Sequence, residues 1–545
     1  MNTPPEPPRD FLQRVLCAAF VFAVAAFAWW RFSDNTADND LWGHVLYGQR
    51  MIALGRAETV DPFSWTAAGV PWTNHEIAAE LALGAVHRSG GATGLWLLTI
   101  AMALIVLVLA WREAHRGQAE AGLKFTTLAL FAASTNSLAL GFSARPQLFT
   151  LLGLVLLLGL LRRAFAGSRA AMLMIPPLLW AWMYTHGGVL VGLLITAVAA
   201  IVTGAQGIMS GQRMRRPFVA VPPGAGWRLL IAFLLAVGGL FSMPEGREML
   251  RWLIGSVAYL RPEITEWRAT PLDTEHLTFF FVALVSVIAW CASRRKRSAW
   301  EAAVLGLLLI MALRHQRHLP LFCLANLIST PPHLLDLLQR VRPHAANLIA
   351  AFQQKGFRAV ATIALLAGGT IALAKSFAAP RVSPWRIEVE RDDFPCAALE
   401  FLRAHPLEGR LLVFFDWGQQ AMWELPHNRI SFDGRLDTIY SRAVIEAHWK
   451  FYRGEESPAA SPDLLSADIA LLPARSGGVR LLQARGWSLV YADPLAEVLV
   501  REPRRHPSLA TLALPVARGL EAVQGREPFP EKPSTLAHPA AIRRD

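Results

Sequence analysis

The feature that most constrains this chain is a series of apolar runs, each near the length of about 20 residues that a helix needs to cross the hydrocarbon core of a bilayer. Eleven such runs are read, near 11–32, 92–111, 122–142, 146–161, 170–185, 188–207, 227–243, 276–292, 299–313, 319–334 and 358–377. Composition agrees. Charged residues make up 17% of the 545 and hydrophobic residues 53%, where soluble domains carry about 25% charged residues; the mean hydropathy is +0.33. The first run follows MNTPPEPPRDFLQR and ends in Trp29 and Trp30, which suit a membrane interface better than a cleavage site, so it is read as an uncleaved span.

The formal net charge is +12. A nucleic-acid binder would concentrate such charge on a soluble domain with stacking aromatics. Here the basic residues sit in short clusters between apolar runs, the pattern of cytoplasmic loops, and nucleic acid is excluded as a partner. With the N-terminus inside, the inner segments hold 20 basic residues and the outer segments 11, all arginine. Acidic residues run the other way, with Glu245, Glu248, Glu263, Glu266, Asp273 and Glu275 joining those of the first loop on the outer side. Chemistry is therefore expected outside. Cys17, Cys291, Cys323 and Cys396 are far apart and have no disulfide or metal spacing.

The domain organisation that follows is a transmembrane module over 1–377 with a first outer loop at 33–91, an extracytoplasmic domain over 378–502 and a disordered tail over 503–545. In the first loop, Leu41 to Leu54 has helical spacing with Asp40 placed as N-cap. A second short helix is expected from about Asn74 to His87. After Phe377, strand candidates Leu411–Phe415, Arg429–Phe432, Asp468–Leu472, Ser488–Tyr491 and Glu497–Val500 alternate with helical stretches, which predicts a small α/β domain. The tail is rich in proline and arginine with little apolar periodicity.

The first loop collects carboxylates beside aromatics. Asp38 and Asp40, at i and i+2, are close enough to share a cation or to split the roles of base and helper. A divalent cation, Mg or Mn, is the cofactor that such a pair could hold. His44 follows on the surface helix, and Thr73-Asn74-His75-Glu76 ends the loop, where His75 and Glu76 could bind a hydroxylated substrate or relay a proton. At the outer span ends lie Ser143-Ala144-Arg145-Pro146-Gln147, Tyr184-Thr185-His186-Gly187-Gly188 and Arg314-His315-Gln316-Arg317-His318. The last is a compact cationic patch that breaks the positive-inside trend, and arginine offers a fork for phosphate oxygens. Glu266 and Trp267, in the outer loop before the eighth run, could line a sugar site. Together these predict transfer of a sugar from a lipid phosphate. That reaction needs one base for the acceptor hydroxyl, and positive charge (Arg314, Arg317, His315 and Arg145) for the leaving phosphate.

The arrangement of DNDLWGH, DPFSW, TNHE, SARPQLF, THGG, TEW and RHQRHLPLF resembles bacterial integral membrane glycosyltransferases of the GT-C superfamily that carry an outer C-terminal domain. The likeness covers roughly residues 10 to 502. It implies a polytopic helical module, a polyprenyl phosphate sugar donor, residence in the bacterial inner membrane and a catalytic carboxylate in the first outer loop, a role that falls on Asp40 with Asp38 as helper. His44, His75, Glu76, His186, Glu266 and Trp267 are then substrate-binding candidates. The C-terminal domain is read as an acceptor-binding or structural lid, with Asp416, Asp433 and Asp437 in capping and turn roles. Two other functions compete. A transporter or flippase of lipid-linked sugars would place polar residues at mid-membrane, whereas these spans are apolar with charge at their outer ends. A noncatalytic receptor or scaffold would use the outer domain for partners.

Overall fold

Helices occupy all eleven apolar runs. The computed structural model describes residues 11–118, 120–209, 218–242, 246–258, 261–342, 354–378, 382–455 and 463–531. Arg9, Arg213, Arg215, Arg216 and Glu245, which were assigned to sides of the membrane above, and the residues from 532 onward lie outside the described residues.

In chain order the helical module comprises α1 (Phe11–Phe32), α2 (Leu41–Leu54), α3 (Ile77–Ala114), α4 (Ala121–Ala139), α5 (Gln147–Phe165), α6 (Arg169–Leu173) and α7 (Ile175–Met183). It continues through α8 (Val189–Met209), α9 (Ala225–Gly239), α10 (Gly246–Ala258), α11 (Leu277–Ala292), α12 (Ala299–Arg314), α13 (Leu319–Ser329), α14 (Pro331–Val341) and α15 (Lys355–Ala378). Among the described residues, five helices (α1, α3, α5, α8 and α15) are long and apolar enough to cross a membrane on length and composition, and a sixth span arises if Gln316–Ser329 and Pro331–Val341, bent by 61°, count as one. The chain is a multi-pass membrane protein built mainly of helices, with a small C-terminal sheet domain. The short helix expected at 74–87 is instead the first arm of the 38-residue α3, which kinks at Gly91 (φ 56°). A positive φ of this kind is open to glycine at no steric cost.

The polar loop between α1 and α3 is folded back on that arm. Helix α2 crosses α3 at Gly48 and Gly84, where a Cβ on either residue would overlap the backbone of the other helix. That approach sets the distance between α2, which follows the Asp38–Asp40 pair, and the carboxylates at the start of α3.

The C-terminal domain is a mixed six-stranded sheet in the order β3-β2-β4-β6-β5-β7. Its strands are β2 (Arg410–Val413), β3 (Arg429–Ile430), β4 (Ile469–Pro473), β5 (Ser488–Ala492), β6 (Ala496–Val500) and β7 (Val516–Ala517). A separate antiparallel pair joins β1 (Glu388–Glu390) to β8 (Arg526–Pro528). All five expected strands are present within a few residues of their expected ends. The tail departs from expectation: β7, β8 and the intervening short turns of helix make 503–531 part of the domain. The reason is a few scattered buried side chains, Leu509, Ala522 and Phe529, that carry no periodicity. Phe529 is fully buried, with ring centroids 5.1 Å from Trp42 and 5.9 Å from Trp423.

The first loop and this domain share one core, in which Leu41, Trp42 and Trp72 pack with Ile387, Phe394 and Trp423. Backbone hydrogen bonds stitch them as well. Trp65 N–H donates to Ile430 O and Ile430 N–H to Phe63 O, at 3.0 and 3.1 Å, so the loop extends the β3 edge of the sheet. Arg435 completes the joint. Its guanidinium donates to Asp433 and, at 2.7 Å, to Asp61 of the first loop, and it lies about 5 Å from the ring centroids of Tyr47, Phe63 and Trp72. Both carboxylates and the arginine are buried, so each charge is matched by a partner rather than by water.

Candidate active site

Asp40 occupies the N-cap position of α2, but its carboxylate makes no capping hydrogen bond. It turns instead toward Arg145, which immediately precedes the Pro146 that opens α5. Arg145 Nη2 donates to Asp40 Oδ2 at 2.7 Å and Nε lies 3.1 Å from Asp38 Oδ1. Asp38 Oδ1 also accepts the Asp40 N–H at 3.0 Å, which closes the Asp-Asn-Asp turn. The other oxygen of Asp40 accepts from Gln419 Nε2 at 3.1 Å. Gly434 passes so close that a Cβ there would overlap Asp40 Oδ1, so glycine in Asp433-Gly434-Arg435 is a condition of this approach.

Beyond Arg145 the site continues into a charge relay of alternating sign. Arg145 Nη1 is 3.4 Å from Glu266, and Arg317 Nη1 is 3.4 Å from the other Glu266 oxygen. Arg317 and Arg261 lie over Trp267 at 4.3 and 4.4 Å from its ring centroid, and Arg261 pairs with Asp437 at 2.7 Å. His315 Nδ1 is 2.6 Å from the Trp267 carbonyl, which identifies that nitrogen as the donor. Arg314 lines the same cavity and is exposed.

On the other side of Asp40, His44 Nδ1 lies 3.4 Å from Glu80 Oε1 and 3.7 Å from Glu76 Oε2. His75 and His186 each approach Glu76 Oε1 at 3.5 Å through Nε2, and His75 stacks on Trp252 with centroids 4.2 Å apart. His186 Nδ1 accepts the Gly188 N–H at 3.0 Å and is 2.7 Å from Thr150 Oγ1. Its proton therefore sits on Nε2, facing Glu76.

Burial pushes the Asp40 carboxyl up to about 7, against the opposing pull of Arg145. Burial likewise would lower His44, but its hydrogen bond with Glu80 and the charges of Glu76, Glu80 and Asp40 outweigh it and raise His44 to about 9. Glu76 would rise on burial, yet the three histidines around it hold it down at about 2. Burial drives His186 down to about 3, leaving it neutral. Desolvation alone would lower Arg145; Asp38, Glu266 and Asp40 reverse this and hold it protonated. One carboxylate thus titrates near neutrality between groups of fixed charge, the arrangement a general base requires.

All the residues expected at the site converge on a single cavity of about 1270 Å³. It is lined by the charged side chains Asp38, Asp40, Glu76, Arg145, Glu266 and Arg317 and also by apolar side chains such as Leu193, Phe233, Val237 and Ile310 of α8, α9 and α12. Asp433 is buried in the Arg435 joint, whereas Asp416, bonded to Asn39 at 3.0 Å, and Asp437 line the cavity. Gln419, Thr150 and Arg261 were not expected. Gln419 lies more than 370 residues from Asp40, and no spacing rule connects them.

No protein-family model matches the chain, and no curated protein matches it by sequence. Solved structures do match by shape. The oligosaccharyltransferase of Archaeoglobus fulgidus tethered to an acceptor peptide is similar at 12% identity and a TM-score of 0.49, over 90% of this chain and 74% of that one. The same archaeal enzyme, AglB, with an inhibitory peptide and a dolichol-phosphate is similar at 12% identity and a TM-score of 0.46, over 84% and 69%. ArnT from Cupriavidus metallidurans bound to undecaprenyl phosphate is similar at 12% identity and a TM-score of 0.42, over 92% of this chain and 99% of that one.

Proposed function

We propose that this chain is a membrane glycosyltransferase of the GT-C type that transfers a sugar from a polyprenyl phosphate donor to an acceptor hydroxyl at the outer face of the bacterial inner membrane. One observation carries the reading. Asp40, a carboxyl that burial raises to about 7, lines the same cavity as Arg314 and Arg317, and apolar side chains of α8, α9 and α12 line it too. A polyprenyl phosphate has this polarity: a charged head and a long hydrocarbon tail.

In the proposed reaction the donor phosphate lies toward Arg314 and Arg317, and its tail follows α8, α9 and α12. Asp40 takes the proton of the acceptor hydroxyl as that oxygen attacks the anomeric carbon. The bond from the anomeric carbon to the phosphate oxygen breaks, the phosphate leaves with the bonding pair, and the anomeric configuration inverts. The arginines stabilise the charge that grows on the phosphate. Arg145 and Gln419 fix the direction of the Asp40 lone pairs, and Asp38 holds Arg145.

The test is label transfer in membranes supplied with a radiolabelled undecaprenyl phosphate hexose. Wild-type membranes should incorporate label into an acceptor. Asp40→Asn, expressed at the same level, should not, and full incorporation in that variant overturns the assignment of Asp40.

A further inference from the structure

Behind Asp40, the His44, Glu76 and Glu80 side chains meet in a way the transfer reaction does not use. Their donor atoms, His44 Nδ1 and one oxygen from each carboxylate, all lie within 4.8 Å of one another. The two separations from His44, 3.4 and 3.7 Å, approach the ~3.3 Å edge of a tetrahedron with metal–ligand bonds of ~2.0–2.1 Å. His44 and Glu80 are buried.

The remaining atoms of these side chains are held from outside. Asn74 Nδ2 donates to the other Glu80 oxygen at 2.7 Å. The Nε2–H of His186 faces the other Glu76 oxygen at 3.5 Å. Partners of this kind orient metal ligands and leave one oxygen of each carboxylate for an ion. A separate observation concerns Tyr47, which is 2% exposed, lines the same cavity and has a hydroxyl without a hydrogen-bond partner among the described residues. Four carboxylates, those of Asp38, Asp40, Glu76 and Glu80, stand close together here, and Arg145 is ion-paired to the first two of them.

We propose that His44, Glu76 and Glu80 bind one divalent transition-metal ion of the zinc or manganese type, in a site separate from the Asp38–Asp40 pair. One imidazole with two carboxylates suits such ions, whereas an all-oxygen set suits magnesium or calcium. On binding, the ion replaces the Nδ1 proton that His44 directs at Glu80, and that proton is released to solvent; the ion then offsets the two glutamates and pins the α2–α3 crossing next to Asp40. This binding does not depend on the transfer reaction, and its test needs no substrate.

The full-length protein in detergent, stripped with a chelator and desalted, is incubated with zinc chloride or manganese chloride, and bound metal is counted by mass spectrometry of the elements. One ion per chain is expected. Asn74→Ala should weaken binding by about 10–100-fold, as loss of an outer partner does, and His44→Gln and Glu80→Gln should weaken it further. Asp40→Asn should leave it unchanged. X-ray absorption at the zinc edge of the wild type, which no folding defect in a variant can obscure, should show nitrogen and oxygen ligands without sulfur. Wild-type protein that retains neither metal, binding that survives both His44→Gln and Glu80→Gln, binding lost in Asp40→Asn, or a sulfur-ligated spectrum would each overturn the site.

Discussion

Gln419 reaches from the C-terminal domain to Asp40 of the first loop: its Nε2 donates to Asp40 Oδ1 at 3.1 Å while its Oε1 accepts the Gly43 N–H at 2.9 Å. One buried amide thereby fixes both the carboxylate and the first turn of the helix behind it. The domain is an integral wall of the site, joined to the loop by a shared core, by backbone pairing at Ile430 and by the Arg435 joint.

Gln419 is accordingly a positioning residue. Gln419→Ala frees one Asp40 oxygen and leaves the Gly43 N–H without its acceptor. Misplacement of a reacting group by about 1 Å costs on the order of 100-fold, so a fall of about 10–100-fold in kcat is expected. KM for the donor should stay nearly constant, because Gln419 bonds to Asp40 and Gly43 rather than to the arginines proposed to hold the phosphate. Initial rates of label transfer at varied donor concentration separate the two; a rise in KM alone would place Gln419 in donor binding.

The pH dependence has a definite sign. As the proposed base, Asp40 must be deprotonated, so activity should rise with pH through about 7. The groups that act on it are Arg145, which lowers its value, Asp38 and Glu266, which raise it, and His44, which lowers it. Arg145→Gln removes an opposite charge and should move the inflection up by about 1–3 pH units. Asp38→Asn removes a like charge and should move it down. Plots of log kcat/KM against pH for the three proteins read both directions, and an inflection that ignores both substitutions would remove Asp40 from the role.

How far this site was legible in the sequence divides along the chain. Lipid imposes long apolar runs, so the helices within the eleven runs could be read, whereas α10 (Gly246–Ala258), which lies between two of those runs, could not. Strict alternation of strands and helices exposed the sheet from Leu411 to Val500. Asp38, Asp40, Arg145, Glu266 and Arg317, which line one cavity, stood out because carboxylates and arginines between apolar runs are anomalous in a membrane protein. Gln419, Gly434 and Phe529 were not, since a buried amide, a close backbone approach and a single anchoring ring acquire meaning only from partners hundreds of residues away. The first arm of α3 was expected as a separate short helix at 74–87, and its continuity with the following span was not. Glu80 and His87 on this arm are buried against α2, with Arg88 and Ser89 exposed, so hydropathy stops short of it.

Arg314 and Arg317 can be tested without the sugar. Native mass spectrometry with undecaprenyl phosphate measures binding of the head and tail alone. A hydrogen bond to a charged group contributes about 1.5–3 kcal/mol, so each arginine-to-alanine change should weaken binding by about 10–150-fold. Arg317→Lys should recover only part of it, because the planar stack on Trp267 is lost. Undiminished binding in the double alanine variant would move the phosphate elsewhere in the cavity.

Phe529 tests whether 503–531 is a structural part of the C-terminal domain. Its ring is fully buried between Trp42, Trp423 and His87, and β8 beside it pairs with β1. Phe529→Ala should destabilise the protein by about 3–5 kcal/mol, seen as a lower midpoint of thermal unfolding in detergent.

The Arg435 joint predicts a loss that affects loop and domain together. Asp61 and Asp433 are buried and both accept from Arg435, so Arg435→Ala leaves two carboxylates without their counter-charge. Removing one member of such a buried group typically costs about 3–5 kcal/mol, and here it also empties the space between Tyr47, Phe63 and Trp72. The first loop should then detach from the sheet edge at Ile430 before the membrane helices separate. Hydrogen exchange at the amides of Trp65 and Ile430 reads this directly, since both are bonded across the joint. Their protection should fall in Arg435→Ala while amides in α5 keep theirs. Equal loss in both regions would mean that loop, domain and helices unfold as one unit, with the joint no weaker than the rest.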